Sequence, residues 1–536
     1  MEVSVIRCSQ TSVGKVEFSA RKLGFCNSKQ ICPKSKRIGF DLTRKWKVPS
    51  VRVALKAIRS DISRSEAVVE EKAMRKNSRE ESQDDCFQLF VGLPLDCHSQ
   101  QNARAIAVGL KALKLLGVEG VELPIWWGVV EKEGPCKYDW SSYLSLAKMV
   151  QDVGLKLHVS LGFHATEGPT AALPQWVSRI GETQPDIFFT DHSGRRYKKC
   201  LSLAVDNLPV LQGRTPMQVY EEFFESFRSS FADFMGSTIT DVSVGLGPGG
   251  ELRYPSSPLK NNSQIPAVGE FQCYDKHMLT QLKQHAEAAG NGNWGLSGPH
   301  DAPRYDDSPN SNNFMREIGG SWETQYGDFF LSWYSNQLIS HGDRLLSLAS
   351  RAFGDSLVTV SGRVPLMHSW YKTRSHPSEL TAGFYNTATR DGYGPVAEMF
   401  AKNSCKMVIP GMDLSDEYQP KGSQSSPESL LSQIMNVCKG HGVHVSGENS
   451  LASSTSSGFG KIKERISSSE DGLASFTYQR MGAYFFSPEH WPLFSEFVRS
   501  LNSIELHLDD LPDNEARVPS STAASEQIND RHMQAV

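Results

Sequence analysis

Two glutamates stand beside glycine-marked turns. One closes the run Gly245-Leu246-Gly247-Pro248-Gly249-Gly250-Glu251, and the other lies in Ser446-Gly447-Glu448-Asn449-Ser450. Glycine lets a backbone turn tightly and approach a ligand closely, so each segment can present one carboxylate at the lip of a pocket. Two carboxylates flanking a pocket are the equipment for hydrolysing a glycosidic bond: one protonates the leaving oxygen, and the other activates water or attacks the sugar. Taken singly, each glutamate is explained equally well as a solvated loop carboxylate. Trp126-Trp127, Phe163-His164 and Trp370-Tyr371 add flat rings that can lie against sugar faces, and His164 and His368 can donate to hydroxyls. Core packing is the commoner use of each aromatic taken alone.

Gly245, Gly247 and Gly250 also match the Gly-x-Gly-x-x-Gly spacing of dinucleotide sites. That motif works by opening a helix whose N-terminus holds a pyrophosphate. Here Pro255 and Pro258 follow quickly and no helix opens, so an oxidoreductase reading has the glycine pattern alone behind it.

The elements that must carry these residues alternate in type. Short apolar runs at 87–93, 118–125, 155–163, 239–246, 357–360, 407–409, 443–446 and 472–476 read as strands. Amphipathic stretches at 103–116, 143–153, 217–235, 329–352, 396–403 and 426–438 read as helices. Eight strands separated by helices predict an α/β fold, a (β/α)8 TIM barrel with long βα loops. A doubly wound sheet has the same local signature and is the alternative. Barrel chemistry sits just past the strand ends, where both glutamates fall, after strands four and seven.

The chain of 536 residues is 39% hydrophobic and 22% charged, which excludes a mostly disordered protein. No run nears the roughly 20 apolar residues of a membrane helix, so no membrane partner is expected. A net charge of -4 gives no pull towards nucleic acid. Ten scattered cysteines form no Cys-x-x-Cys pair, reduced thiols are expected, and no metal or other cofactor is called for. Residues 1–50 carry eleven Lys/Arg against three acids, a net of +8 that leaves -12 for the rest. A basic, Ser-containing, acid-poor leader is the composition of an organelle transit peptide; a basic tail binding something acidic is the alternative. The expected division is a disordered leader and linker over 1–85, a barrel over 86–508, and a short polar, disordered tail over 509–536.

Several ordered motifs resemble the plant β-amylases: Phe90-Val91-Gly92-Leu93-Pro94-Leu95-Asp96, Trp126-Trp127-Gly128-Val129-Val130-Glu131, Leu173-Pro174-Gln175-Trp176-Val177, Glu270-Phe271-Gln272-Cys273-Tyr274 and Glu379-Leu380-Thr381-Ala382-Gly383. The resemblance spans roughly residues 87–500 and is nearest the plastid members described as non-catalytic. It implies a plastid-stromal barrel acting on starch or malto-oligosaccharides, α-1,4-glucans cut from the non-reducing end with inversion to release maltose. By motif, Glu251 matches the general acid and Glu448 the general base, which in an inverting enzyme stand about 6.5–9.5 Å apart. His164, His368, Arg363, Asn449, Leu451 and Arg480 match sugar-contacting positions.

The sequence departs from that pattern at four places. Pro124 stands where the family has a hydroxyl-binding aspartate, and Pro410 where it has a threonine that holds the catalytic water. Residues 165–172 replace a longer glycine-rich lid. Arg363 replaces a lysine, with planar rather than point-charge chemistry. These losses point to an inactive or very weak member that binds glucan or a protein partner in starch metabolism. An active, maltose-releasing β-amylase is the alternative.

Overall fold

The computed structural model describes residues 87–505, apart from 167–169, 258–265, 267, 451–455 and 468–472. The expected leader, the polar tail and Leu451 lie outside the described residues. Eight strands carry the architecture: β1 (Gln88–Gly92), β2 (Gly120–Trp126), β3 (Lys156–Gly162), β4 (Ile239–Val244), β5 (Thr359–Arg363), β6 (Lys406–Ile409), β7 (Val445–Glu448) and β8 (Ser475–Tyr478). They close in the order β1-β8-β7-β6-β5-β4-β3-β2. β1 pairs in parallel with both β2 and β8, so the sheet has no edge and the doubly wound alternative is excluded. All eight predicted strands coincide with these, shifted by a few residues at their ends.

Strands buried on both faces read as near-continuous apolar runs, and β2 is buried at every position. Polar residues nevertheless enter the barrel. Glu122, His158, Asp241, Ser361, Arg363, Ser446, Glu448 and Ser475 line a small interior space of about 20 Å³, room for roughly one water.

Helices wrap the outside: α1 (Ala103–Leu116), α2 (Ser141–Val153), α3 (Pro216–Ser230), α4 (Gln325–Phe353), α5 (Gly394–Lys402), α6 (Pro427–Gly440), α7 (Ser456–Ser467) and α8 (Trp491–Glu505). α1 ends at Gly117, whose φ of 92° a side chain would resist. α3 starts with a capping box in which Thr215 and Gln218 satisfy each other's backbone. The helix predicted over 217–235 stops at Ser230, because Phe231 leaves helical geometry and a single tight turn, Ala232–Phe234, follows.

Several elements were not anticipated, among them α7, α8, the helix Gln175–Thr183 and, in the long loops, a strand pair and a further helix. Phe188–Thr190 pairs antiparallel with Arg196–Leu201. The second strand, Arg-Tyr-Lys-Lys-Cys-Leu, buries only Cys200 and Leu201 and has no apolar run to betray it. The helix Lys276–Ala288 buries only Met278, Leu282 and Ala286, a stripe too narrow to stand out.

Candidate functional site

The site lies at the C-terminal ends of the barrel strands. After β4 the glycine run makes a compact loop: Leu246 N donates to Gly250 O at 3.2 Å and Gly250 N to Gly247 O at 2.9 Å. Gly250 has a φ of 81°, and a Cβ there would approach His164 Cε1 to 3.2 Å. The chain then returns to the barrel. Glu251 bridges Arg363 in parallel, and Leu252 N donates to Arg363 O at 2.9 Å, extending the pairing of β4 with β5 by one step. The run is therefore a turn that lifts Glu251 to the rim, and no helix opens there to cradle a dinucleotide. Glu251 Oε2 accepts from Arg253 Nε at 2.6 Å, with the glutamate side chain 22% exposed.

Glu448 is the last residue of β7 and only 6% exposed. Arg363, the last residue of β5, meets it two-pronged: Nε donates to Oε2 at 2.9 Å and Nη2 to Oε1 at 2.5 Å. Gln479 Nε2 donates to the same Oε1 at 3.2 Å. Glu122, from β2, stands on the other side. Its Oε1 is 3.5 Å from Arg363 Nη2, and Gln479 Nε2 donates to its Oε2. One guanidinium and one amide thus join two buried carboxylates. Burial pushes Glu448 up, and Arg363 opposes that rise. Burial also works against the charge on Glu122, but Arg363, Arg480 and Gln479 outweigh it and leave Glu122 low. Arg363 is itself penalised by burial, and Glu448 and Glu122 more than reverse this, holding the guanidinium above its usual range.

The other sugar-contacting candidates are also occupied by protein. His368 Nδ1 is hydrogen-bonded to Ser425 Oγ at 2.6 Å. Asn449 accepts from Gln479 N at 2.6 Å and donates to Gln479 O at 2.9 Å. Arg480 Nη1 donates to Leu93 O at 2.9 Å. Arg480 Nε is buried without a hydrogen-bond partner, and so is Nδ1 of His164. Burial, then Arg363 and Arg253, push its pKa down to about 3, and burial takes His368 down to about 4. Both rings are neutral near pH 7.

Beside Glu251 opens a cleft of about 320 Å³, lined by Glu251, Arg253, Ser257, Ser450 and an apolar wall that includes Pro365, Leu366, Met367, Pro410 and Leu414. Pro124 lies within β2 and is buried. The shortened segment after His164 is tied at its neck. Thr166 N donates to Ala171 O at 2.8 Å, and Ala171 N to Thr166 Oγ1 at 3.0 Å.

Most of the aromatics belong to the core. Trp127 packs edge-on against Phe163, Trp176 and Tyr220, Trp370 Nε1 donates to Pro266 O at 2.9 Å, and Tyr371 donates to Gln433. Trp126 alone of this set meets the site, edge-on to His164 at 5.4 Å. Sequence reasoning missed Glu122, Gln479 and Arg253. The first had a signal: an acid inside the apolar run 121–125 of a barrel strand needs a buried partner.

Residues 90–505 match the model of glycosyl hydrolase family 14. The chain is 53% identical over 533 residues, 98% of each chain, to an Arabidopsis thaliana protein described as "Inactive beta-amylase 9". It is 42% identical over 428 residues to "Beta-amylase 1, chloroplastic" of Oryza sativa subsp. japonica, covering 77% of this chain and 80% of that one. Among solved structures it is similar to the catalytic domain of beta-amylase from Paenibacillus polymyxa, with a TM-score of 0.65 and 27% identity over 78% of this chain and 98% of that one.

Proposed function

The chain belongs to glycosyl hydrolase family 14, and from that premise we propose that it is a plastid β-amylase-type barrel that holds the non-reducing end of an α-1,4-glucan without cleaving it at a useful rate. The observation that carries this reading is the state of the sugar-binding candidates. Of those described, His164 alone offers a buried ring nitrogen with no partner, while His368, Arg363, Asn449 and Arg480 are bonded within the protein. A sugar hydroxyl arriving at Asn449, or at the edge of Arg363 that faces Glu448, must displace bonds already made, so those contacts add little net binding.

The cleft supports the same reading. Its volume suits a ligand of disaccharide size, yet Pro410 supplies no hydroxyl to hold a water and Pro124 no carboxylate for the first sugar. Lid closure expels water and completes a catalytic constellation, and the short neck at Thr166 and Ala171 leaves little chain to do it. Glu251 serves as the acid position and Glu448 as the base position of an inverting pair. Retention of both favours a second reading, slow hydrolysis with release of maltose.

The basic leader over 1–85 acts as a plastid transit peptide and linker, the barrel over 86–508 is the functional unit, and the polar tail over 509–536 is an appendage. Relatives from rice and Arabidopsis thaliana described as chloroplastic support the plastid assignment. A protein partner in starch metabolism gives a silent glucan-binding barrel its use. Calorimetric titration of the full chain with maltose tests the reading. Saturable heat that is lost in His164→Ala supports it, and no binding to the parent at millimolar sugar contradicts it.

A further inference from the structure

We propose that Arg363 is an internal inhibitor of the site: by engaging both oxygens of Glu448, it hinders the base position from taking a proton from water. The proposal rests on the family reading above, in which Glu448 is that base. A general base must lie within about 2.6–3.2 Å of the water it activates. Glu448 already accepts three bonds, at Oε2 from Arg363 Nε at 2.9 Å and at Oε1 from Arg363 Nη2 at 2.5 Å and Gln479 Nε2 at 3.2 Å, so about one of the four lone-pair positions of a carboxylate is left for water, beside the guanidinium. A two-pronged guanidinium–carboxylate pair is the strongest geometry available to the two groups. A lysine ammonium is a compact point charge and has no fork to cover both oxygens.

The clamp is itself clamped. Glu122 stands 3.5 Å from the same Arg363 nitrogen, and Gln479 donates to both acids. Leu252 N holds Arg363 O at 2.9 Å, which ties the backbone under the guanidinium to the strand extension that carries Glu251. Arg363 therefore cannot swing away without leaving Glu122 and Glu448 facing each other across a buried space. Such a residue acts through Glu448 and touches the reaction only by withholding it.

α-Maltosyl fluoride isolates this step, because fluoride leaves as an anion without help from an acid. Water forms the new bond to the anomeric carbon, the carbon–fluorine bond breaks, and the water proton passes to Glu448. The products are β-maltose and fluoride, with that proton later released to solvent. Fluoride release is measured for the full chain, Arg363→Lys, Arg363→Gln, and Arg363→Lys combined with Glu448→Gln, and calorimetric maltose binding is measured on each.

The expected result is a rise of at least tenfold in kcat for Arg363→Lys with KM little changed. The rise should follow the ionisation of one group in its pH profile and vanish when Glu448→Gln is added. Arg363→Gln, which has no charge and no fork, is read in the same way if the lysine variant does not fold. A folded Arg363 variant that turns over no faster than the parent, or a gain that survives Glu448→Gln, overturns the proposal. Maltose binding decides the other matter: absence of heat from every variant counts against the glucan-binding reading, whereas the rate ratio alone judges Arg363.

Discussion

At the scale of single residues, the site is governed by what buried charges do when a partner is removed. Deleting one member of a buried ion pair typically costs about 3–5 kcal/mol, because the other charge is left uncompensated. Arg363 is the ion-pair partner of two buried acids, Glu122 and Glu448. Arg363→Met should therefore destabilise the protein by about that amount in urea unfolding, and adding Glu122→Gln should recover a large part. A loss under about 1 kcal/mol, the range of an exposed pair, would mean that the pair is solvated.

The histidines titrate far from neutrality. With His164 pushed down to about 3 and His368 to about 4, maltose affinity should be the same at pH 5.5 and 7.5. A steep change centred near the ordinary imidazole value would show His164 ionising. Glu270 behaves oppositely. Burial, then the nearby Asp191, push its carboxyl up to about 7 from an ordinary 4.5. The folded state then binds this proton more tightly than the unfolded chain, so the carboxyl costs stability above pH 7. That cost shrinks as pH falls and is gone below about 4.5. Glu270→Gln, which keeps an acceptor for His192 N, should raise Tm at pH 8 and leave it unchanged at pH 4.

At the scale of elements, the barrel strands were legible because parallel strands covered on both faces need continuous apolar runs, and eight such runs spaced by helices leave few arrangements. The placement of Glu251 and Glu448 at strand ends was legible because each follows directly on an apolar run. Their partners were not. The meeting of Arg363 with Glu448 and Glu122 depends on which inward positions of β2, β5 and β7 share a level in the barrel, and strand limits alone do not set that level. Arg363 was visible as a departure from lysine, but nothing in the sequence showed that its guanidinium pairs with Glu448. The neck of the short loop after β3 is an element-scale constraint of the same kind. A Cβ on Gly128 would lie 1.8 Å from Ala172 O, so the returning segment of that loop packs directly on glycine backbone. Gly128→Ala should displace residues 171–173 and cost about 1–3 kcal/mol or more. Measured Tm and near-UV circular dichroism of that variant check it, and wild-type values for both would mean that the loop is free to move.

At the scale of the whole molecule, charge is divided unevenly. The first 50 residues carry +8 and the remainder -12, the separation expected when a leader is read by an import apparatus and a folded domain is left behind. Residues 1–85 fused to a fluorescent reporter should carry it into plastids, and a cytosolic reporter would refute the transit reading. Composition could bound the class of the protein but could not rank turnover against binding, since both use the same barrel and the same two glutamates. Turnover is where the two readings part. The most direct measurement is maltose release from soluble starch by the full chain at high concentration over hours, beside Glu251→Gln and Glu448→Gln. A barrel that holds glucan without cutting it gives no more maltose than either variant. Maltose from the parent and from neither variant would contradict that, and would make the protein a slow β-amylase.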